Sequence, residues 1–108
     1  MSKVVQITNV NEYKKFKENN RRGVILYGAK WCHACEDIKP LYVRIANRYY
    51  KKIAMAYVDI EKCNLDFSKV PVLNSFYRGK ITNSMEGASK SGLKEFIKDA
   101  IEYKHTTR

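Results

Sequence analysis

The amino-acid sequence predicts an α/β fold in which a central mixed sheet of about five strands has helices on both faces. Two observations lead to this prediction. In the first half, apolar runs typical of strands alternate with segments of helical periodicity, which favours parallel strands joined by right-handed crossovers. In the second half, two strand-like runs lie close enough to form a hairpin, and a helical segment follows. The length of 108 residues is typical of one domain, so we expect residues 1–108 to form a single unit.

The first two strands and the first helix have clear local signals. Val4–Ile7 is a short run rich in β-branched residues, which predicts a strand. Asn9 is followed three residues later by Glu12, the spacing of a capping box at the start of a helix. The run from Gly23 to Ala29 is apolar apart from its glycines, which is typical of a central strand buried on both faces.

A longer helix should begin at about Cys32 and present one apolar stripe. The members of that stripe are Cys35, Ile38, Leu41, Tyr42, Ile45, Ala46 and Tyr49. Pro40 lies inside this pattern and should kink the helix, because proline removes a backbone donor and clashes with the preceding turn. Ile53–Val58 then predicts the third strand.

The second half contains the predicted hairpin and the last helix. Glu61–Lys69 is a mixed segment with room for at most one or two helical turns. Val70–Tyr77 and Ile81–Glu86 predict the fourth and fifth strands. Ser89 should cap a final helix with the stripe Leu93, Phe96, Ile97, Ala100 and Ile101. We expect the polar tail, residues 104–108 with His105, to fray.

The formal net charge of +10 favours acidic partners, but lysines and arginines are scattered along the whole chain. We interpret them as a solvated basic surface and expect no specific nucleic-acid site. Apolar runs are too short to span a membrane. The N-terminal residues also lack the apolar core of a secretory signal. These features predict a cytoplasmic protein without a membrane association.

The segment Trp31–Cys35 holds two of the three cysteines in a Cys-x-x-Cys arrangement. An odd number of cysteines does not suit a structural disulfide framework, so a redox motif in a reducing compartment or a metal site is favoured. At a helix start, free backbone N–H groups and the helix dipole would lower the pKa of the Cys32 thiol. The dipole typically contributes about 0.3–1 kcal/mol.

The segment Ala29–Cys35 and the order of the elements resemble the thioredoxin family. Pro40, Pro71, Gly79 and Gly87 also match the family pattern, and the resemblance extends from about residue 4 to residue 103. It implies a thioredoxin fold, with Cys32 as the exposed nucleophile and Cys35 as the buried resolving thiol. It also implies that the Val70–Pro71 peptide bond is cis and faces the cysteines.

Several other residues have an expected role in the site, and each also has a simpler explanation. Trp31 is expected to form a flat apolar shelf for substrate, although it could simply pack in the core. Val70 and Pro71 would leave backbone open to a substrate peptide, although Pro71 could be an ordinary strand-start proline. His33 would favour the Cys32 thiolate when protonated, or act only as a spacer. Cys63 is expected to be a free, partly exposed thiol, with a regulatory or intermolecular disulfide as the alternative.

Four departures from the family pattern affect the expected chemistry. Leu26 replaces a buried acid on the central strand, and Tyr57 replaces the lysine that often accompanies it. His33 and Ala34 replace Gly-Pro between the cysteines, and the segment before Pro71 is shorter. Without the acid, Cys35 loses its usual proton acceptor, so we predict slow resolution. His33 should raise the reduction potential above that of a standard thioredoxin.

The resulting prediction is a monomeric thiol–disulfide oxidoreductase that reduces protein disulfides through Cys32 and Cys35 and needs no cofactor. Thioredoxin reductase or a glutathione-type system would recycle it. Three alternatives remain open at this point. One is an oxidase or isomerase-like exchanger, and another is a non-catalytic binding module. The third is a metal site formed by Cys32, Cys35 and either His33 or Cys63, which is disfavoured because structural zinc usually needs four ligands.

Overall fold

A computed structural model describes residues 2–104, and the predicted frayed tail with His105 lies almost entirely outside that range. The elements in chain order are β1 (Val5–Ile7), α1 (Val10–Asn19), β2 (Arg22–Gly28), α2 (His33–Tyr49), β3 (Ala54–Asp59), β4 (Val72–Tyr77), β5 (Lys80–Glu86) and α3 (Lys90–Glu102). Each predicted strand is present within one or two residues of its expected bounds.

The five strands form one mixed sheet in the order β1-β3-β2-β4-β5. β3 pairs in parallel with both β1 and β2, as the alternating first half predicts. β4 is antiparallel to β2 and to β5, with which it forms the predicted hairpin. The central position of β2 explains its continuous apolar sequence, since its residues from Gly23 to Gly28 are all buried.

Apolar residues cover both faces of the sheet. One cluster joins alternate side chains of the central strands to the stripes of α2 and α3, and it includes Leu26, Tyr42, Tyr57, Leu73 and Leu93. The other joins the opposite face to α1 and includes Phe16, Ile25, Tyr27, Val58 and Phe76. The predicted apolar stripes of α2 and α3 are therefore confirmed as the surfaces that bury these helices.

Tyr42 ties α2 to the two central parallel strands. Its hydroxyl lies 2.7 Å from the carbonyl oxygen of Ala56 and 3.1 Å from that of Val24. Burial raises the pKa of this phenol, so it stays a neutral donor. Pro40 lies in the same helix, which runs from His33 to Tyr49 without interruption.

The helix caps agree only partly with the sequence signals. Asn9 caps α1, with its side-chain oxygen accepting the Glu12 N–H at 2.9 Å. The Glu12 carboxylate, however, accepts the N–H of Thr8 at 3.0 Å, so the reciprocal half of the capping box is displaced by one residue. Ser89 stands at the N-cap of α3 but forms no capping bond, and its hydroxyl lies 3.2 Å from that of Ser91.

The short helix allowed for between Glu61 and Lys69 is not formed. Instead, Asp59 holds a tight turn, since its carboxylate accepts the N–H groups of Glu61 and Lys62 at 3.0 and 3.1 Å. Asn64 then adopts a positive φ of 55°, which ends the turn before a helix can propagate. This turn shortens the connection between β3 and β4.

Candidate active site

The Cys-x-x-Cys segment lies at the junction between β2 and α2. The Cys32 N–H donates to the carbonyl of Ala29 at 3.1 Å, which closes a turn directly after the strand. Cys32 is the N-cap residue of α2, and its sulfur accepts the N–H of Cys35 at 3.1 Å. The sulfur thus occupies the position where a helix start offers unpaired N–H groups and a favourable dipole.

Cys32 and Cys35 are joined in a disulfide, with their Cα atoms 5.2 Å apart. Cys35 is fully buried, at 0% exposure, as expected for a resolving thiol. Cys32 is also buried, at 6% exposure, so the expectation of an openly exposed nucleophile is wrong for this oxidised form. Its sulfur lies 3.7 Å from the carbonyl oxygen of Val70, which covers part of it.

Val70 and Pro71 lie beside the disulfide, and the peptide bond between them is cis. Pro71 is buried, and its carbonyl oxygen accepts the N–H of Ala88 at 3.0 Å. Among residues 2–104, no group accepts the N–H of Val70. Val70, a half-buried residue whose carbonyl oxygen lies 3.7 Å from the Cys32 sulfur, therefore has an unpaired backbone donor.

Trp31 and His33 flank Cys32 on the surface. Trp31 is 67% exposed, so the alternative that it packs in the core is wrong. His33 is exposed and is the first residue of α2, and it makes no hydrogen bond to another part of the described chain. Two ion pairs follow: Glu36 lies 3.7 Å from Lys39 within α2, and Asp37 of α2 lies 3.8 Å from Lys90 of α3.

Leu26 and Tyr57 occupy neighbouring positions on the parallel strands β2 and β3. Leu26 is fully buried and provides no proton acceptor. Tyr57 is 6% exposed, and burial raises the pKa of its phenol to about 12, with the nearby charges of Glu36 and Asp59 contributing further. The buried face below Cys35 therefore carries a phenol in place of a carboxylate and an ammonium group.

Cys63 is buried at 3% exposure, so the expectation of a partly exposed thiol is wrong. The turn that begins at Asp59 directs its side chain into the cluster around Ile7, and its sulfur lies 3.9 Å from the Ile7 carbonyl oxygen. Burial raises the pKa of the thiol, and the charges of Asp59 and Glu12 raise it further. These properties make Cys63 a poor nucleophile and disfavour an intermolecular disulfide.

Within residues 2–104, no three side chains of His, Cys, Asp and Glu are grouped so that they could hold a metal ion. Cys63 is a free thiol, separate from the Cys32–Cys35 disulfide. Over the same range, no helix has the length and hydrophobicity needed to span a membrane.

The family model described as thioredoxin matches residues 3–99 of this chain. The chain belongs to the thioredoxin family. Thioredoxin of Buchnera aphidicola is 28% identical over 107 residues, a match covering 94% of this chain and 99% of that protein. A mitochondrial thioredoxin-3 of Saccharomyces cerevisiae is 27% identical over 108 residues, covering 89% and 79% of the two chains.

Solved thioredoxin structures share the same fold. The structure of Plasmodium falciparum thioredoxin superposes with a TM-score of 0.82, covering 89% of this chain and 98% of that one at 23% identity. The predicted thioredoxin fold, a five-stranded mixed sheet with helices on both faces, is confirmed. As a member of the thioredoxin family with a bonded Cys-x-x-Cys pair, the protein is a thiol–disulfide oxidoreductase.

Sequence reasoning missed the role of Gly28 in this thioredoxin site. A β-carbon added to Gly28 would overlap the Tyr57 hydroxyl and lie 3.1 Å from the Cys35 β-carbon. The missing side chain thus makes room for Tyr57 beside Cys35. A glycine inside a buried strand is a known sign of such a close approach, and that signal was present in the sequence.

Proposed function

We propose that this protein reduces disulfides in protein substrates, with Cys32 as the nucleophile and Cys35 as the resolving thiol. The main supporting observation is the asymmetry of the pair. The Cys32 sulfur sits at the helix N-cap and accepts the Cys35 N–H at 3.1 Å, whereas Cys35 has no exposed surface. Backbone N–H groups and the dipole stabilise a thiolate at Cys32, which is the form that attacks a disulfide.

The reaction proceeds in two exchanges. The Cys32 thiolate attacks one sulfur of the substrate disulfide, and the other substrate sulfur leaves as a thiolate. Cys35 then loses its proton and attacks the Cys32 sulfur, which releases the second substrate thiolate and forms the Cys32–Cys35 disulfide. The substrate gains two electrons, and the two cysteines are oxidised.

We expect the substrate to contact the surface around Cys32. The exposed face of Trp31 offers an apolar shelf, and the unpaired Val70 N–H can donate to an extended substrate backbone. Pro71 keeps this stretch out of the strand pairing, since β4 begins only at Val72. His33 lies one residue from the attacking sulfur, and its protonated form would favour the thiolate.

Replacing Cys35 with Ser should trap substrates as mixed disulfides on Cys32, because the second exchange cannot occur. We expect disulfide-linked partners from cell extract on non-reducing gels, which disappear on treatment with dithiothreitol. Cys32→Ser with Cys35 intact is the control and should trap none. If no partner is trapped and the wild type does not catalyse insulin reduction, the protein would be a non-catalytic binding module.

Leu26 and His33 favour a second candidate, a disulfide exchanger that acts as an oxidase or isomerase. A thiolate stabilised by His33 makes the reduced form more stable, and this raises the reduction potential. For the exchanger we expect a potential above about −270 mV, measured by equilibration with glutathione. A value at or below that level would reject the exchanger and favour the reductant.

Recycling would require a source of electrons, and either a thioredoxin reductase or a glutathione-type system fits the dithiol chemistry. We place this cycle in the cytoplasm and expect one domain acting as a monomer, without a cofactor and without specific binding to nucleic acid or membranes. The reductant that restores the dithiol fastest in a reconstituted assay identifies the recycling system.

A further inference from the structure

The hydroxyl of Tyr57 lies near Cys35, in the space left open by the missing side chain of Gly28. A β-carbon built on Gly28 would overlap this hydroxyl and would lie 2.9 Å from the ring carbon that bears it. The same point is 3.1 Å from the Cys35 β-carbon. Gly28 therefore marks a site at which the phenol and the resolving cysteine are close neighbours.

Three positions on the sheet create this arrangement. Leu26 and Gly28 lie on the same face of β2 because alternate residues of a strand point the same way. Tyr57 pairs in register with Leu26, and its long side chain extends to the space left open at Gly28. A larger residue at position 28 would exclude the hydroxyl, so Tyr57 can take this position only because residue 28 is a glycine.

The Tyr57 hydroxyl is an uncommitted hydrogen-bond donor. Within residues 2–104 no group is hydrogen-bonded to it, and because no fully buried side-chain oxygen lacks a partner, the hydroxyl keeps some contact with solvent although the residue is only 6% exposed. The charged groups around the ring are Lys39, whose Nζ lies 4.2 Å from the ring centroid, and the carboxylates Glu36 and Asp59. With its pKa raised to about 12, the phenol keeps its proton at neutral pH.

We propose that Tyr57 is a positioning residue whose hydroxyl donates a hydrogen bond to the Cys35 sulfur when that sulfur is a thiolate. A phenol O–H can stabilise a buried anion at short range, which an aliphatic Leu26 cannot do. This role deepens the proposed function, because it rests on Cys35 as the resolving thiol.

The hydrogen bond stabilises the Cys35 thiolate in both directions of the exchange reaction. In resolution, Cys35 releases its proton to solvent, becomes a thiolate and attacks the Cys32 sulfur, so that the substrate sulfur leaves with the electron pair. In recycling, a reductant thiolate attacks Cys32, and Cys35 leaves with the electron pair as a thiolate. Tyr57 keeps its own proton throughout and stabilises the Cys35 anion in each case.

The test measures the Cys35 thiolate directly, in reduced protein that carries Cys32→Ser and Cys63→Ala so that Cys35 is the only thiol. The NMR chemical shift of the Cys35 β-carbon, followed from pH 6 to pH 10, reports the thiolate fraction and needs no reagent to reach this buried thiol. Adding Tyr57→Phe should shift the midpoint of this profile to higher pH by about one unit, which is about a tenfold loss of thiolate below the midpoint, as expected for loss of one hydrogen bond to a charged group.

Tyr42→Phe in the same background is the matched control, since it removes a tyrosine hydroxyl on the same face of the sheet that bonds to backbone carbonyls instead. It should lower the melting temperature and leave the titration profile of Cys35 unchanged. An unchanged profile for Tyr57→Phe, or an equal shift for Tyr42→Phe, would overturn the proposal. Because the measurement needs no substrate, its failure is distinct from a failure of the trapping experiment.

Discussion

Cys32→Ser should abolish disulfide reduction, with a loss of at least about a thousandfold in the rate above uncatalysed dithiothreitol. The serine hydroxyl is not ionised at neutral pH and cannot form a mixed disulfide. Cys35 cannot take over, because it has no exposed surface to meet a substrate disulfide. Insulin reduction, followed as turbidity with dithiothreitol as the electron donor, measures this loss.

Cys63→Ala provides the matched cysteine control. Its thiol is buried at 3% exposure and separate from the Cys32–Cys35 disulfide. We expect wild-type activity and a small loss of stability from the vacated core space. A comparable loss of activity in Cys63→Ala would mean that the third thiol takes part in turnover, and the two-cysteine mechanism would be wrong.

The fold follows largely from patterns that are local in the sequence. The stripes of α2 and α3 appear as helical spacing of apolar residues, and the central strand β2 appears as an uninterrupted apolar run. Features that depend on a single hydrogen bond or a single backbone angle were harder to predict than the helices and strands. Glu12 meets the N–H of Thr8 where the capping box predicts that of Asn9, and Asn64 ends a turn in the segment where a short helix had room to form.

In the active site, too, features set by neighbouring residues in the sequence could be predicted, and features set by distant contacts could not. Cys32 at a helix start follows from a strand, a motif and a helix in direct succession. The burial of Cys63 depends on a turn held by Asp59 and on packing against β1, which is distant in the sequence. The approach of Tyr57 to Cys35 depends on strand register and on the absence of a side chain at Gly28, and both become visible only in three dimensions.

Leu26→Asp should lower stability at neutral pH by at least about 4 kcal/mol while it accelerates the Cys35 step. Leu26 has 0% exposure, and burial of a carboxyl group raises its pKa by up to about 3–5 units. The ionised fraction of the new carboxyl group would nevertheless supply the proton acceptor that the site lacks. We expect single-turnover release from the mixed disulfide to become at least about tenfold faster, a conservative value for general base catalysis.

The pH dependence of the stability of Leu26→Asp separates the two effects. The folded-state pKa of the new carboxyl lies above its unfolded value, so between these values the folded protein binds more protons. Stability therefore falls by about 1.4 kcal/mol for each unit of rising pH in that window, and it is greatest below the unfolded pKa. Leu26→Asn introduces a polar side chain of similar size that does not titrate. Its stability, measured by urea denaturation, should therefore not fall with rising pH in this window. If Leu26→Asn also resolves as fast as Leu26→Asp, the gain would come from a looser core, and the absence of a proton acceptor would not limit the Cys35 step.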